Sequence, residues 1–223
     1  MTPLGLVAVG AHPDDIELSM LGLLLRFARA GHDVTWIVAT DGAAGNGGRD
    51  RSLAAVRATE AQAAATSAGA HLVPCGFPDG QLAWDSKAPG IIGQHLDRIR
   101  PDLIVTHALN DYHADHRAVA RIVGDTAPVG IPILRADNML GLYFSPDILV
   151  DISEVFEAKL AALALHESQK MASFREGITT WNRFRGLQSS KAKFVHAEAY
   201  SIDRQLNNNL RPLLDRIGGY VML

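Results

Sequence analysis

Two short segments hold most of the chemistry open to this chain. The first reads His12-Pro13-Asp14-Asp15 and the second His113-Ala114-Asp115-His116. A residue before proline is held extended, so His12 continues the direction of the apolar run in front of it. Pro13 turns the chain. The two aspartates then open a helix, where the backbone dipole favours negative charge by ~0.3–1 kcal/mol. An acidic helix start accounts for the aspartates alone, but it leaves the imidazole beside them unexplained. In the second segment, a helix beginning near Ala114 puts His113 and His116 on one face. Asp115 is placed to orient one imidazole by a hydrogen bond. His12, one aspartate and one later histidine make three ligands and leave a fourth position for water, as a catalytic zinc centre requires. The second aspartate is then free to act as general base, and the second histidine to stabilise the charge that attack creates. That chemistry is metal-assisted hydrolysis of an amide or ester.

These residues need a frame that brings them together. Short apolar runs alternate with longer helical ones. Strands are expected at Leu4–Gly10, Asp33–Ala39, His71–Val73, Leu103–Thr106 and Ile148–Asp151. Helices are expected at Ile16–Ala30, Arg51–Ala68, Ile91–Arg100, Ala114–Val123 (with Gly124 as its stop) and Glu154–Glu167. This β-α-β-α order predicts an α/β fold, a mostly parallel sheet with helices on both faces and right-handed crossovers. In such sheets the carboxyl ends of the strands collect the ligand-binding loops. Behind the first strand stands His12. Behind the second come Thr40-Asp41-Gly42 and a glycine-rich loop. Behind the Leu103 strand come His107, Asp111, His113, Asp115 and His116. The glycine-rich loop has neither G-x-G-x-x-G nor P-loop spacing, so it is not a phosphate cradle.

Composition bounds the alternatives. The chain has 223 residues, with 48% hydrophobic and 20% charged side chains and a net charge of -3. That apolar content excludes low-complexity disorder. A slightly acidic balance without a Lys/Arg block argues against a nucleic-acid partner. No run approaches the ~18 apolar residues of a membrane span, and the first residues lack the basic region of a signal peptide. The single Cys75 cannot form an internal disulfide and suits a reducing compartment. The expectation is one cytoplasmic domain over residues 1–223.

His-Pro-Asp-Asp after a first strand, with a later His-x-Asp-His, resembles the LmbE/PIG-L family of zinc-dependent deacetylases, which remove acetyl groups from N-acetylglucosaminyl compounds. The resemblance runs from about Leu6 to Tyr200. It implies a three-layer α/β/α, Rossmann-like topology and a small amino-sugar substrate. It implies His12, Asp15 and His116 as metal ligands and Asp14 as the base. His113 would contact the carbonyl oxygen, with Asp115 tuning its charge. The split between Asp14 and Asp15 comes from the resemblance alone. Zinc is the implied ion, and ferrous iron accepts the same ligands.

Weaker matches extend the list. Arg57 and Glu60 match an Arg-x-x-Glu element that implies a substrate contact for Arg57; an intrahelical ion pair of ~0.2–0.5 kcal/mol is the competing account. Asp79, in Pro78-Asp79-Gly80, resembles a turn near the sugar pocket, and a plain Asp-Gly turn competes with it. His166 to Gln169, Arg185-Gly186 and Ala197 to Tyr200 also resemble family segments. Ala43 departs from a glutamate common in the family, in a loop that borders the substrate site in the resemblance. His32, His71, His95 and His196 are expected to be surface or packing residues. The same holds for the three tryptophans, with Trp84, just after Asp79, the one to watch. The resemblance allows a homo-oligomer, and no segment marks an interface. Two other functions compete with a deacetylase: an amidase acting on a cysteinyl-glucosamine conjugate or another small amide, and a non-catalytic carbohydrate- or metal-binding protein. Binding alone needs neither Asp14 nor His113, which argues against the latter.

Overall fold

The computed structural model describes residues 2–83, 87–140, 143–190, 192–203 and 210–223. Trp84 lies outside them. Eight strands form one sheet: β1 (Gly5–Gly10), β2 (Asp33–Thr40), β3 (His71–Phe77), β4 (Leu103–His107), β5 (Ile133–Ala136), β6 (Ile148–Asp151), β7 (Ala197–Ile202) and β8 (Tyr220–Met222). Their spatial order is β3-β2-β1-β4-β5-β7-β6-β8. The pairs from β3 to β5 are parallel. The three pairs that join β5, β7, β6 and β8 are antiparallel. The expected parallel α/β sheet is therefore present, extended on one side by an antiparallel end that the apolar runs did not announce.

The helices are α1 (Asp15–Ser19), α2 (Leu21–Arg29), α3 (Arg51–Ser67), α4 (Ala88–Ile99), α5 (Ala114–Thr126), α6 (Phe156–Ala164), α7 (Arg175–Gln188) and α8 (Leu210–Leu214). Two single 3₁₀ turns, Glu167–Gln169 and Met171–Phe174, lead into α7. Side chains alternate across a strand, and the core divides accordingly. Leu6, Ala8, Trp36 and Val105 pack with Leu21, Leu24, Ala64 and Leu160 on one face. Val7, Val9, Ile37 and Ile104 pack with Ile92, Leu96, Val119 and Ile122 on the other. Three layers result.

Three local differences from expectation have physical causes. The helix expected over 16–30 breaks at Met20, because Glu198 accepts hydrogen bonds from the backbone N–H groups of Gly22 (2.8 Å) and Leu23 (2.8 Å) and so starts a second helix. Gly124 does not stop α5. It makes room for Arg135, whose Nη2 would stand 2.9 Å from a Cβ there, and the helix ends where Ala127 becomes extended ahead of Pro128. The short strand at His71 runs on to Phe77 through Pro74. β3 is an edge strand, where a missing N–H is tolerated.

The strand order reverses between β1 and β4. In an open α/β sheet this switch point opens a crevice beyond the carboxyl ends of the strands. His12 follows β1 there, and His107 closes β4.

Candidate metal and active site

His12 is buried beside the end of β1. Its backbone N–H donates to Asp15 Oδ2 (2.7 Å), which ties the motif into a tight turn. Its Nδ1 lies 3.2 Å from Asp15 Oδ2 and 3.3 Å from His116 Nε2. His116 Nε2 lies 3.2 Å from Asp15 Oδ1. Three donors at tetrahedral positions ~2.0–2.2 Å from one ion stand ~3.3–3.6 Å apart. The spacing of His12 Nδ1, the Asp15 carboxylate and His116 Nε2 therefore fits a small divalent cation. These are the three residues expected as ligands; His107 Nε2 also lies 3.3 Å from Asp15 Oδ2.

The far ring nitrogens are also provided for. His12 Nε2 faces Asp79 Oδ1 (3.0 Å) and Asp115 Oδ2 (3.3 Å). His116 Nδ1 faces Asp111 Oδ1 (3.1 Å). A carboxylate behind each imidazole is the arrangement that orients histidine ligands. The protonation tendencies agree. Burial would lower the His12 pKa, but Asp15, Asp115 and Asp79 override it and push it up to about 12. Burial is likewise overridden at His116 by Asp15 and Asp111, and its pKa rises to about 9. Burial would raise Asp15, but His116, His107 and His12 hold it well below the usual carboxylate range. Asp79 behaves similarly: His12 and the Ala44 N–H outweigh burial and bring it down to about 2. Two imidazoles that both attract a proton face each other at 3.3 Å; a shared cation removes that conflict.

Asp14 stands apart from this triangle. Its backbone is left-handed, with φ 108°, a strained state for a residue with a Cβ. Arg57 holds it there. The guanidinium donates to Asp14 Oδ2 (3.0 Å), to the carbonyl of Gly42 (3.0 Å) and to the carbonyl of Pro13. Burial raises the Asp14 carboxyl to about 7, against the pull of Arg57 and with the push of Asp15. A carboxyl near neutrality suits proton transfer. His113 caps α5, its Nδ1 accepting from Asp115 N–H (3.2 Å). In the neutral ring the proton then sits on Nε2, leaving a donor for the cavity. Burial, with His12 and His116 nearby, lowers its pKa and favours that neutral form.

The structure brings all eight candidates to one cavity or its immediate wall, with some changes of partner. Asp115 does not turn its carboxylate to His113. It accepts from His12, from Gly80 N–H (2.8 Å) and from Leu82 N–H (3.2 Å), so the imidazole it orients is His12. Arg57 does not pair with Glu60, which instead accepts from Ser168 N–H (2.7 Å) and Oγ (2.6 Å). Asp79 is more than a turn: it accepts from Ala44 N–H (2.9 Å) and braces His12. His166 is buried against Glu17 (2.7 Å) and takes no place in the cavity wall.

Two residues noted only as members of a polar run prove to be integral. His107 stacks on His116 with ring centroids 4.0 Å apart, and its Nε2 accepts from Ala11 N–H (3.0 Å). Asp111 accepts from His113 N–H (2.9 Å) behind His116. The signal that finds them is position: both lie at or just past the carboxyl end of β4.

Comparison with known proteins follows this geometry. The family model described as GlcNAc-PI de-N-acetylase, PIG-L, matches residues 7–127. The chain is 26% identical over 184 residues to the diacetylchitobiose deacetylase of Thermococcus kodakarensis, covering 73% of this chain and 69% of that protein. It is also 26% identical to the probable N-acetyl-alpha-D-glucosaminyl L-malate deacetylase 2 of Bacillus cereus, covering 87% and 95%. Among solved structures, GalB, the 4-carboxy-2-hydroxymuconate hydratase of Pseudomonas putida, superposes with a TM-score of 0.80 at 20% identity, covering 90% of this chain and 96% of that one. That likeness concerns the fold.

Proposed function

The chain belongs to the PIG-L family, and from that premise we propose that it is a zinc-dependent deacetylase of a small N-acetylglucosamine-type conjugate. The observation that carries the reading is the donor triangle of His12, Asp15 and His116, with Asp14 and His113 lining the same cavity. The deacetylases among its relatives support the reaction class and the amino-sugar substrate. A bound zinc supplies Lewis acidity, which acidifies water and polarises an acyl carbonyl.

The chain's own residues do the rest. His12, Asp15 and His116 hold the ion, with Asp79, Asp115 and Asp111 fixing the two imidazoles behind it. Asp14 Oδ1 or Oδ2 takes the proton of the attacking water and returns it toward the departing amine. Arg57 limits the swing of that carboxylate. His113 Nε2–H donates to the carbonyl oxygen as negative charge builds there, the kind of contact worth ~2.7–4 kcal/mol of barrier. The two terminal nitrogens of Arg57 are used in holding Asp14 and two carbonyls, while its buried Nε has no hydrogen-bond partner among the described residues. Asp79 keeps its hold on His12 at the sugar side of the cavity.

The test is acetate release from a panel of N-acetylglucosamine conjugates by the zinc-loaded protein, beside Asp14→Asn. Release by the parent and a ~10²–10⁴-fold loss in the variant, with zinc content unchanged, is the expected result. Full zinc occupancy without acetate from any conjugate removes the deacetylase reading and favours an amidase on another small amide. A fully active Asp14→Asn removes Asp14 as the base.

A further inference from the structure

The cavity around the donors encloses about 450 Å³, within the ~300–1,000 Å³ of small-molecule sites. Its walls differ in kind. Toward the β2 and β3 edge it is bounded by Arg57, Asp79 and the backbone of Ala44, Gly45 and Gly80. Gln169 reaches this side beside Gly45, and the remaining lining is largely apolar. Met139 comes from the segment after β5, Met171 and Phe174 from the turn ahead of α7, and Leu18 from α1, with Tyr112 at the margin. The hydrolytic groups named above make no use of these side chains. Tyr112, Met139 and Phe174 remain 44%, 43% and 45% exposed, although three separate segments aim them at one cavity.

This apolar wall is anchored. Asp137 is buried and accepts from Trp181 Nε1 (2.9 Å), from Arg185 Nε (2.7 Å) and from Asn138 N–H (2.9 Å), which sets the segment bearing Met139. Glu60 grips Ser168 by two hydrogen bonds, which sets the turns leading to Phe174. Apolar side chains kept open to water beside a polar site mark a surface that a ligand covers. The occupant is indicated by continuity: the same cavity holds the donor triangle at its floor.

We propose that the substrate is an amino-sugar conjugate carrying a nonpolar substituent, an alkyl chain or ring of several carbons, that covers the exposed Met139 and Phe174 and reaches the cavity faces of Leu18 and the buried Met171, while the sugar hydroxyls face the Asp79 side. This rests on the reading that the cavity hydrolyses the amide of an amino sugar. Such a substituent enters either as the aglycone or as the acyl group itself, and the chemistry recognised is the same.

Three compounds test it with the zinc-loaded protein, with release of free amine or acid as the readout: N-acetylglucosamine, its octyl glycoside and N-octanoylglucosamine. The expected result is a kcat/KM for one octyl compound at least tenfold above that of N-acetylglucosamine, the lower end of the ~10–200-fold that one buried methylene gives. The octyl glycoside excelling assigns the wall to the aglycone; the octanoyl amide excelling assigns it to the acyl group. Phe174→Ser and Met139→Ser should each bring that ratio toward one. Turnover of all three at the same kcat/KM overturns the inference and leaves the deacetylase reading standing. No product from either octyl compound, with acetate released from a polar conjugate of the panel, overturns the inference alone; no product from these three or from that panel overturns both. Sedimentation of the parent and Phe174→Ser completes the test: an oligomer that the substitution dissolves would mean that a second copy covers this wall, and the inference falls.

Discussion

Two buried clusters, each built on carboxylates, serve opposite ends. Around Glu198 everything is closed. Its Oε1 accepts from Gly22 N–H (2.8 Å) and Lys159 Nζ (2.7 Å), and its Oε2 from Leu23 N–H (2.8 Å) and Tyr200 OH (2.6 Å). Lys159 is 0% exposed and Glu198 2%. One cation meets one anion, and every lone pair has a donor. At the end of β1 and β4, five carboxylates (Asp14, Asp15, Asp79, Asp111 and Asp115) meet a single arginine, Arg57, and four histidines. That cluster is short of positive charge, and its acceptors converge on a space. The difference teaches how to read a buried carboxylate. When its partners complete it, it holds the fold; when its surroundings still call for a cation, it belongs to the chemistry.

Breaking each cluster should therefore show in a different measurement. Lys159→Met leaves the buried Glu198 without its cation, at a cost of about 3–5 kcal/mol. Denaturant titration should show that loss, and the folded fraction should still bind zinc at the parent's stoichiometry. His116→Ala should do the reverse. Calorimetric zinc titration should show affinity reduced by more than the ~10–100-fold typical of an outer partner, while the metal-free protein unfolds at a denaturant concentration close to the parent's. Asp115→Asn keeps one acceptor oxygen, which can serve Gly80 N–H and His12, but sets an NH2 against Leu82 N–H and removes the charge behind His12, so a ~10–100-fold drop in zinc affinity is expected. An unchanged affinity would return Asp115 to a purely structural role.

The smallest effect belongs to a pair between the two clusters. Burial lowers the pKa of His166, but Glu17 at 2.7 Å outweighs it and the net direction is upward. A histidine whose folded pKa is raised stabilises the fold fully below its unfolded value of ~6.5, and that contribution fades as pH rises through the folded value. The stability difference between parent and Glu17→Gln should thus be widest near pH 5–6 and narrow toward pH 9. A difference independent of pH would mean that the pair acts only as a hydrogen bond.

Much of this molecule is legible along the chain. Pro13 after His12, the three-residue spacing of His113 and His116, and the strand-helix alternation are local features, and each follows from backbone preference or helical periodicity. They suffice for the parallel part of the sheet and for the positions of the candidate His and Asp donors on its edge. Residues that act through distant partners were not legible. Asp115 is adjacent in sequence to His113's neighbour Ala114, yet its carboxylate serves His12, 103 residues away. Arg57 has Glu60 one helical turn on, yet it clamps Asp14, 43 residues back. The segment Ala197 to Tyr200 resembles family sequence, and only the structure reveals that Glu198 starts α2.

By itself, then, the sequence determined which side chains stand at the ends of β1 and β4, because secondary structure and spacing are settled by neighbours. Only the tertiary structure decided which carboxylate meets which imidazole, which cluster is complete and which lacks a cation, and which wall of the cavity is apolar. Those outcomes depend on the parallel pairing of β1 with β4, which sets distant loops against one another, and no local preference encodes a distance between them.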